Sequence, residues 1–443
     1  MMEREATLQI DLCNEIGRLR DVVVHRPGAE IARMTQHHLD LLLFDDILSP
    51  REAELEHALM TNILEGAGAR VYELLDLLTR ALERAPVVER RELLARVCAV
   101  EGVLQLEEPL FEWAAAPLAA GLVAGIYWSD LPGAPASLSR LRSNLYDPFA
   151  VALNPLPNLM FMRDPCVAVG RQLVVCSMAR AARAREPLLV RFALRWGLPS
   201  GFGPAITALV DERERSQHRV TLEGGDVLVP SCEFVLIGCS ERSSPQGIER
   251  FAHDVLFPNL PQLARVYAVL MPAKRSLMHL DTILTQIDRA LFLGHGPLVA
   301  GPRALPVARL ERERPPALVD GASVLDVLRD ELGPEVALVP CGGEEPVQQE
   351  REQWTDGANA VCVAPGRIVL YSRNTATIAA LRDHGFAERR LSVVHSPEQR
   401  AELIADGMQR PRAVFSFSGS ELSRARGGGR CLTMPLRRDP IDV

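Results

Sequence analysis

The chain of 443 residues has no apolar run approaching the roughly 18–20 residues of a membrane span, which excludes a helical integral-membrane class. It has no excess of positive charge either: 49 Lys and Arg stand against 57 Asp and Glu, a formal charge of −8. Nucleic acid and anionic membranes are therefore excluded as main partners. Neither a GxGxxG nor a Walker-type loop occurs, so nothing supports nucleotide binding. The nine cysteines are odd in number and include no CxxC pair. Cys98, Cys166, Cys176, Cys239 and Cys362 sit among apolar residues and read as reduced core thiols. The opening MMEREATLQIDL is acidic and lacks the basic-then-apolar layout of an export signal. A cytoplasmic location is expected.

What is present is a repeated plan. A chain of this length calls for two domains or one large repeat-built domain. Four segments share an apolar run, a short turn, a second apolar run and a helix-like stretch: DPCVAVGRQLVVCSMARAARA from Asp164, EGGDVLVPSCEFVLIGCSERSS from Glu223, MHLDTILTQIDRALFLGH from Met278 and DGANAVCVAPGRIVLYSRNTATIAALRDHG from Asp356. The turns GRQ, PSCE, DR and APGR predict β-hairpins. NEIGRLRDVVVHRPG reads as one more strand of this kind. Each unit opens on polar residues: Arg163 and Asp164, Glu223 and Asp226, His279 and Asp281, Asp356 and Asn359. A module repeated around an axis would bring these leading ends to one pocket. Residues 78–150 break the plan with helix-period apolar spacing and read as a helical insertion, whose charged stretch RALERAPVVERRELLARV forms a solvated helix face. ERERPPALVD and LPSGFGPA read as surface loops.

Several residues carry chemistry. GGGRC places Cys431 after three glycines, with Arg430, Arg426 and Arg424 close in sequence; such charge would favour a nucleophilic thiolate. The plainer reading is a surface thiol on a frayed tail, but TMPLRRDPI is too apolar for a disordered end. His279 and Asp281 stand two apart, hence on one face of a strand, suited to proton transfer beside a cation-binding acid. A structural histidine competes with that reading, and a zinc pair lacks partners at common spacings. EGGD offers two carboxylates around two glycines or simply a turn, and FMRDP an internal Arg–Asp pair or a cation and an acid for a site. One Cys, one His, one Glu and two or more Asp exceed what a cysteine protease needs. Extra carboxylates suit a cationic, planar substrate group such as a guanidinium.

NEIGRLRDVVVHRPG, LLLFDDI, PNLMFMRDP, EGGDVLV, ERSS, MHLDT, REQWTDGANAV and ELSRARGGGRCLTMPLRRDPI resemble, in order, the motifs of bacterial arginine deiminases, from about residue 13 onward. The resemblance implies an α/β fold of the pentein superfamily. Its five-bladed pseudo-symmetric α/β propeller would be residues 1–77 and 151–443, and its inserted α-helical bundle residues 78–150. It implies hydrolysis of L-arginine to L-citrulline and ammonia, without metal or organic cofactor, in a dimer or tetramer. Cys431 would be the nucleophile and His279 the general acid and base, with Asp164 and Asp281 on the guanidinium and Glu223 behind the histidine. Arg183, Arg242 and Asn158 would bind the α-carboxylate end, and Phe161 would pack on the aliphatic stem. Arg426 would be a mobile arginine; Arg163, Asp226 and Asn359 would line or buttress the pocket; Leu43 and the residue before Arg426 would give main-chain contacts. Met162, Ala425 and the stretch CGGEEPV depart from the family pattern. The alternatives are a hydrolase or amidinotransferase of the same fold acting on a modified arginine or another guanidino compound, and a catalytically silent binding protein.

Overall fold

The computed structural model describes residues 10–135, 137–146, 150–199, 206–210, 220–301 and 303–441. Each hairpin expected from the sequence forms and gains a third strand in parallel. Cys166–Val169 pairs with Gln172–Val175, which takes Ile206–Ala208. Val227–Leu228 pairs with Phe234–Cys239, which takes Arg265–Leu270. Leu284–Asp288 pairs with Leu291–Gly294, which takes Ala337–Pro340. Val361–Ala364 pairs with Arg367–Tyr371, which takes Ala413–Phe417. A fifth sheet follows the same plan from both ends of the chain: Met434–Arg438 lies antiparallel to Leu19–Val24, which pairs in parallel with Arg70–Glu73.

A parallel partner demands a crossover, because two strands running the same way cannot be joined by a tight turn. Helices supply it, among them Pro50–Gly66, Glu186–Gly197, Val324–Leu332 and Pro397–Gln409. Strands covered on both faces read as unbroken apolar runs, as FVLIGC does at Phe234–Cys239. The result is a mixed α/β structure of separate sheets, none of which closes on itself.

Arg314–Leu318, expected as a loop, is instead an exposed edge strand beside Val307–Glu311. Pro315 and Pro316 fall at the register shift between the pairs Arg309–Ala317 and Glu311–Arg314, where the ladder is already interrupted. LPSGFGPA lies largely outside the described residues.

Between Leu74 and Tyr146 the chain is mainly helical, with Leu74–Arg84, Val87–Glu101, Ala115–Ala124 and Leu138–Tyr146 as its longer helices. Leu74, Leu77, Leu78, Ala81 and Leu82 form a buried stripe at helical spacing. The stripe joins the core of the sheet at Cys166–Val169 and does not enclose a core of its own. Gly197 makes this approach possible, since a Cβ there would stand 2.0 Å from the Leu77 carbonyl oxygen.

The five cysteines read as reduced are free. Cys13 and Cys232, however, are joined by a disulfide across 219 residues, a pairing that sequence spacing gives no sign of. Closing so long a loop restricts the unfolded chain. The Cys232→Ser variant is expected to lose about 2–4 kcal/mol of unfolding free energy. Denaturant melts without reductant measure this, and equal midpoints for both proteins would show that the crosslink contributes nothing.

Candidate active site

The first strand of each of the five sheets begins a few residues after a polar side chain. Asp164 precedes Cys166–Val169, Glu223 and Asp226 precede or abut Val227–Leu228, and His279 and Asp281 precede Leu284–Asp288. Asp356 and Asn359 precede Val361–Ala364, and Cys431 precedes Met434–Arg438. These ends are stitched to one another through the backbone. Arg163 N–H donates to the Cys431 carbonyl (3.1 Å) and Gly224 N–H to the Asp164 carbonyl (3.0 Å). Asn359 donates from Nδ2 to the Asp281 carbonyl (3.0 Å), and its Oδ1 accepts the N–H groups of Arg430 and Cys431 at 3.0 and 3.1 Å. One cavity results, lined by Cys431, His279, Asp164, Asn158, Phe161, Arg183, Arg242, Arg426 and Leu43. Gly225 admits two of these groups: a Cβ there would meet the His279 ring at 2.7 Å and Asp164 Oδ1 at 2.8 Å.

His279 and Asp281 do not share a strand face. His279 is extended and heads a single 3₁₀ turn, Leu280–Thr282, that contains Asp281. The two side chains therefore have different partners. His279 Nε2 lies 2.9 Å from Glu223 Oε2, and its Nδ1 lies 3.7 Å from Asp164 Oδ1. Burial alone would discharge this imidazole. Asp164, the Glu223 hydrogen bond and Asp226 outweigh burial and raise its pKa to about 9. For Glu223, burial favours the neutral acid, but His279, Arg242 and Arg183 hold it down at about 2. Asp226 accepts from Leu280 N–H (2.9 Å) and Ser240 Oγ (2.7 Å), and burial raises it to about 7. It buttresses the turn and does not line the cavity.

Cys431 departs from expectation. Its sulfur is buried and none of the nearby arginines serves it. Arg430 turns to Asp281 and Glu15, Arg426 stacks on the Trp354 ring at 3.3 Å, and Arg424 pairs with Glu421 and Asp46. The thiol lies 3.7 and 3.8 Å from the Asp281 oxygens. Burial first, then Asp281, Asp164 and Asp356, push its pKa well above the ordinary thiol value. These surroundings favour the thiol over the thiolate.

Two arginines expected to play one part are placed differently. Arg183 gives Nε and Nη2 to Glu186, Nη2 also to the Asn158 carbonyl, and Nη1 to Asp164 Oδ2 at 2.6 Å. Little of its donor capacity remains. Arg242 gives only Nε, to Glu241, and among the described residues its Nη groups make no hydrogen bond. Arg163 lies behind the cavity, its Nε on the Arg430 carbonyl. Asp164, Glu223 and His279 offer ligand atoms within 4.8 Å of one another, a geometry that could hold a cation. Arg183 Nη1 and Arg242 Nη1, 3.8 and 3.7 Å from Glu223 Oε2, already supply positive charge there.

The mouth is strained and shut. Leu43, Asp356 and Arg426 are the non-glycine residues with positive φ among the described residues, at 66°, 63° and 72°. Asn158 Nδ2 holds the Leu42 carbonyl (2.6 Å), and Arg275 Nη2 holds that of Leu43 (3.1 Å). The enclosed space is about 20 Å³, room for a single water and far too little for an amino acid. Arg275, Met278, Thr282 and Ala425 also line it. Met278 and Thr282 bracket the histidine in MHLDT, a signal that could have found them; nothing in the sequence marks Arg275.

The arginine deiminase family profile matches residues 40–438. Relatives named arginine deiminase include those of Listeria monocytogenes serotype 4a, 32% identical with 98% of each chain covered, and Bacillus cytotoxicus, 31% identical with 98% of this chain and 99% of that one. Among solved structures, an amidinotransferase of saxitoxin biosynthesis from Microseira wollei is 14% identical over 98% of each chain, TM-score 0.49. A dimethylarginine dimethylaminohydrolase from Pseudomonas aeruginosa complexed with citrulline is 12% identical over 94% of this chain and 99% of that one, TM-score 0.46. Matched along nearly its whole length by the profile and by full-length relatives, the chain belongs to the arginine deiminase family.

Proposed function

We propose that this chain hydrolyses L-arginine to L-citrulline and ammonia through a covalent intermediate on Cys431. The observation that carries the reading is Asp164 Oδ1, a buried carboxylate oxygen with no hydrogen-bond partner, in the same cavity as Cys431 and His279. An unmatched acceptor in such a place calls for a donor from the substrate. The family's name supplies the substrate, and Asp164 and Asp281 suit the two nitrogen edges of its guanidinium.

The charge pattern gives the order of events. The thiol is neutral while three acids face it alone. A guanidinium arriving among them reverses the local field, and the thiol releases its proton to solvent. The thiolate adds to the guanidinium carbon and forms a C–S bond. Protonated His279 gives its proton to the departing nitrogen, the C–N bond breaks, ammonia leaves, and a thiouronium cation remains on Cys431. Neutral His279 then takes a proton from water as the oxygen adds to the same carbon. Cleavage of the C–S bond returns the thiolate, and loss of the hydroxyl proton leaves the ureido group of citrulline. Glu223 keeps the imidazole oriented and charged at the start of the cycle. No metal or organic cofactor enters these steps.

Arg242, whose Nη groups make no hydrogen bond among the described residues and only the 3.7 Å ion pair with Glu223, takes the substrate's α-carboxylate with Asn158, while Arg183 acts chiefly by fixing Asp164. Phe161 packs along the aliphatic stem. Arg426 and the Leu43 segment move to admit the substrate, because the shut cavity has no room for it. In the same reading the five like-built sheets are blades of a five-bladed propeller. Residues 1–77 and 151–443 form the catalytic body and 78–150 the helical insertion; the repeated strand plan supports this. The family resemblance alone supports a cytoplasmic homo-oligomer.

Purified protein is expected to form citrulline from arginine without added metal, and Cys431→Ala to form none while melting normally; a colorimetric ureido assay decides, and turnover by the variant would end the covalent route. The His279 proton is required, so kcat falls as pH rises through its pKa, raised to about 9 by its acidic neighbours and lower beside a bound cation. Glu223→Gln removes a group that raises that pKa. The alkaline limb of kcat should therefore move toward acid, and a limb that stays in place would remove Glu223 from this role. Arg242→Gln should raise KM for arginine at least tenfold and leave agmatine, which lacks the carboxylate, unchanged.

A further inference from the structure

Arg430 precedes the nucleophile, yet its guanidinium points away from the cavity into a buried niche. There Nη2 and Nε donate to Glu15 at 2.9 and 3.3 Å, and Nη2 also to the Val227 carbonyl at 2.6 Å. Nη1 donates to Asp281 Oδ2 at 2.8 Å. Glu15 receives a further donor, the Val229 N–H at 3.1 Å. Its fixing is covalent as well: Cys13, two residues before Glu15, is bonded to Cys232, three residues after Val229. Burial alone would neutralise Glu15, but Arg430, and then Arg163, keep it ionised with a pKa of about 2.

The hydrogen bonds of Arg430 divide its positive charge between two acids, with the Arg163 guanidinium as a further cation beside them. Were Asp281 the sole counter-ion of Arg430, the pair would be neutral and an incoming guanidinium would gain little from it. Glu15 supplies the second negative charge. We infer that Glu15 is a positioning residue for the reaction: by neutralising Arg430 it leaves the charge of Asp281 to the cationic substrate, while Arg430 holds that carboxylate in place. The backbone N–H groups of Arg430 and Cys431 share Asn359 Oδ1, so the same anchored fork also sets where the sulfur stands. The inference rests on the arginine-hydrolysing reading above.

Binding in a Cys431→Ala background separates this electrostatic part from a merely structural one. Citrulline is the neutral near-isostere of arginine and fills the same pocket without the charge. Glu15→Gln keeps the shape and removes the charge. It should raise the calorimetric Kd for arginine about tenfold, the loss of one charge-assisted contact, and leave that for citrulline within about twofold. Glu15→Asp, which retains the charge, should bind arginine within about threefold of the Cys431→Ala parent. If Glu15→Gln does not fold, Glu15→Gln with Arg430→Gln removes both buried charges; having lost the fork that holds Asp281, it should weaken arginine by less than tenfold and leave citrulline within about twofold. Equal weakening of both ligands, an unchanged arginine Kd in folded Glu15→Gln, or a tenfold loss in the paired variant would each overturn the inference. Absence of citrulline formation by the unsubstituted protein would instead overturn the functional reading.

Discussion

A ring of ionisable groups has to be kept in the protein interior around one thiol, and the rest of the structure answers to that demand. Asp164, Glu223, Asp226, Asp281 and Asp356 are all buried within or behind one small cavity. An isolated carboxylate in such a place would take up a proton rather than remain charged. Where guanidinium groups reach the acid, it stays ionised, as Glu223 does at about 2. Where burial dominates, the value climbs, as for Asp226 and Asp356 at about 7. The site is thus a set of matched charges in which Asp164 Oδ1, on the cavity wall, is left open, as is Asp356 Oδ2 nearby. That opening is what distinguishes a place for a cation from a closed ion-pair network.

The backbone meets this demand with one device used five times. A strand that starts just beyond a polar residue presents that residue at the sheet's end, and five such ends bonded to one another enclose the pocket. Glycine appears where two of these ends crowd each other, most plainly at Gly225 between an imidazole and a carboxylate. The segment that leads to Cys431 is secured at a distance by Glu56, whose carboxylate accepts from the N–H groups of Ser420, Glu421 and Leu422. This anchors the stretch leading to strained Arg426.

Much of this was legible because it is local. Alternating apolar runs with tight turns specify hairpins, and the polar letters ahead of each run name the groups that meet. Orientation was not legible. Three arginines close to Cys431 in sequence suggested a thiolate, but their partners, Glu15, Asp281, Asp46 and Trp354, lie on other segments and draw the charge away. Arg183 and Arg242 look equivalent as letters, and it is Glu186, Asp164 and the Asn158 carbonyl that occupy the donors of the first. The Cys13–Cys232 bond joins residues with no common motif, and the RPPAL edge strand uses prolines that local rules assign to a loop.

The sheet built from both chain ends bears on how the molecule is made. Leu19–Val24 is synthesised early, yet one of its edges stays bare until Met434–Arg438 emerges, roughly 20–80 s later at about 5–20 residues per second. Cys431 sits immediately ahead of that late strand. A nascent chain therefore carries the buried acids and the imidazole of this cavity before Cys431 is added to it.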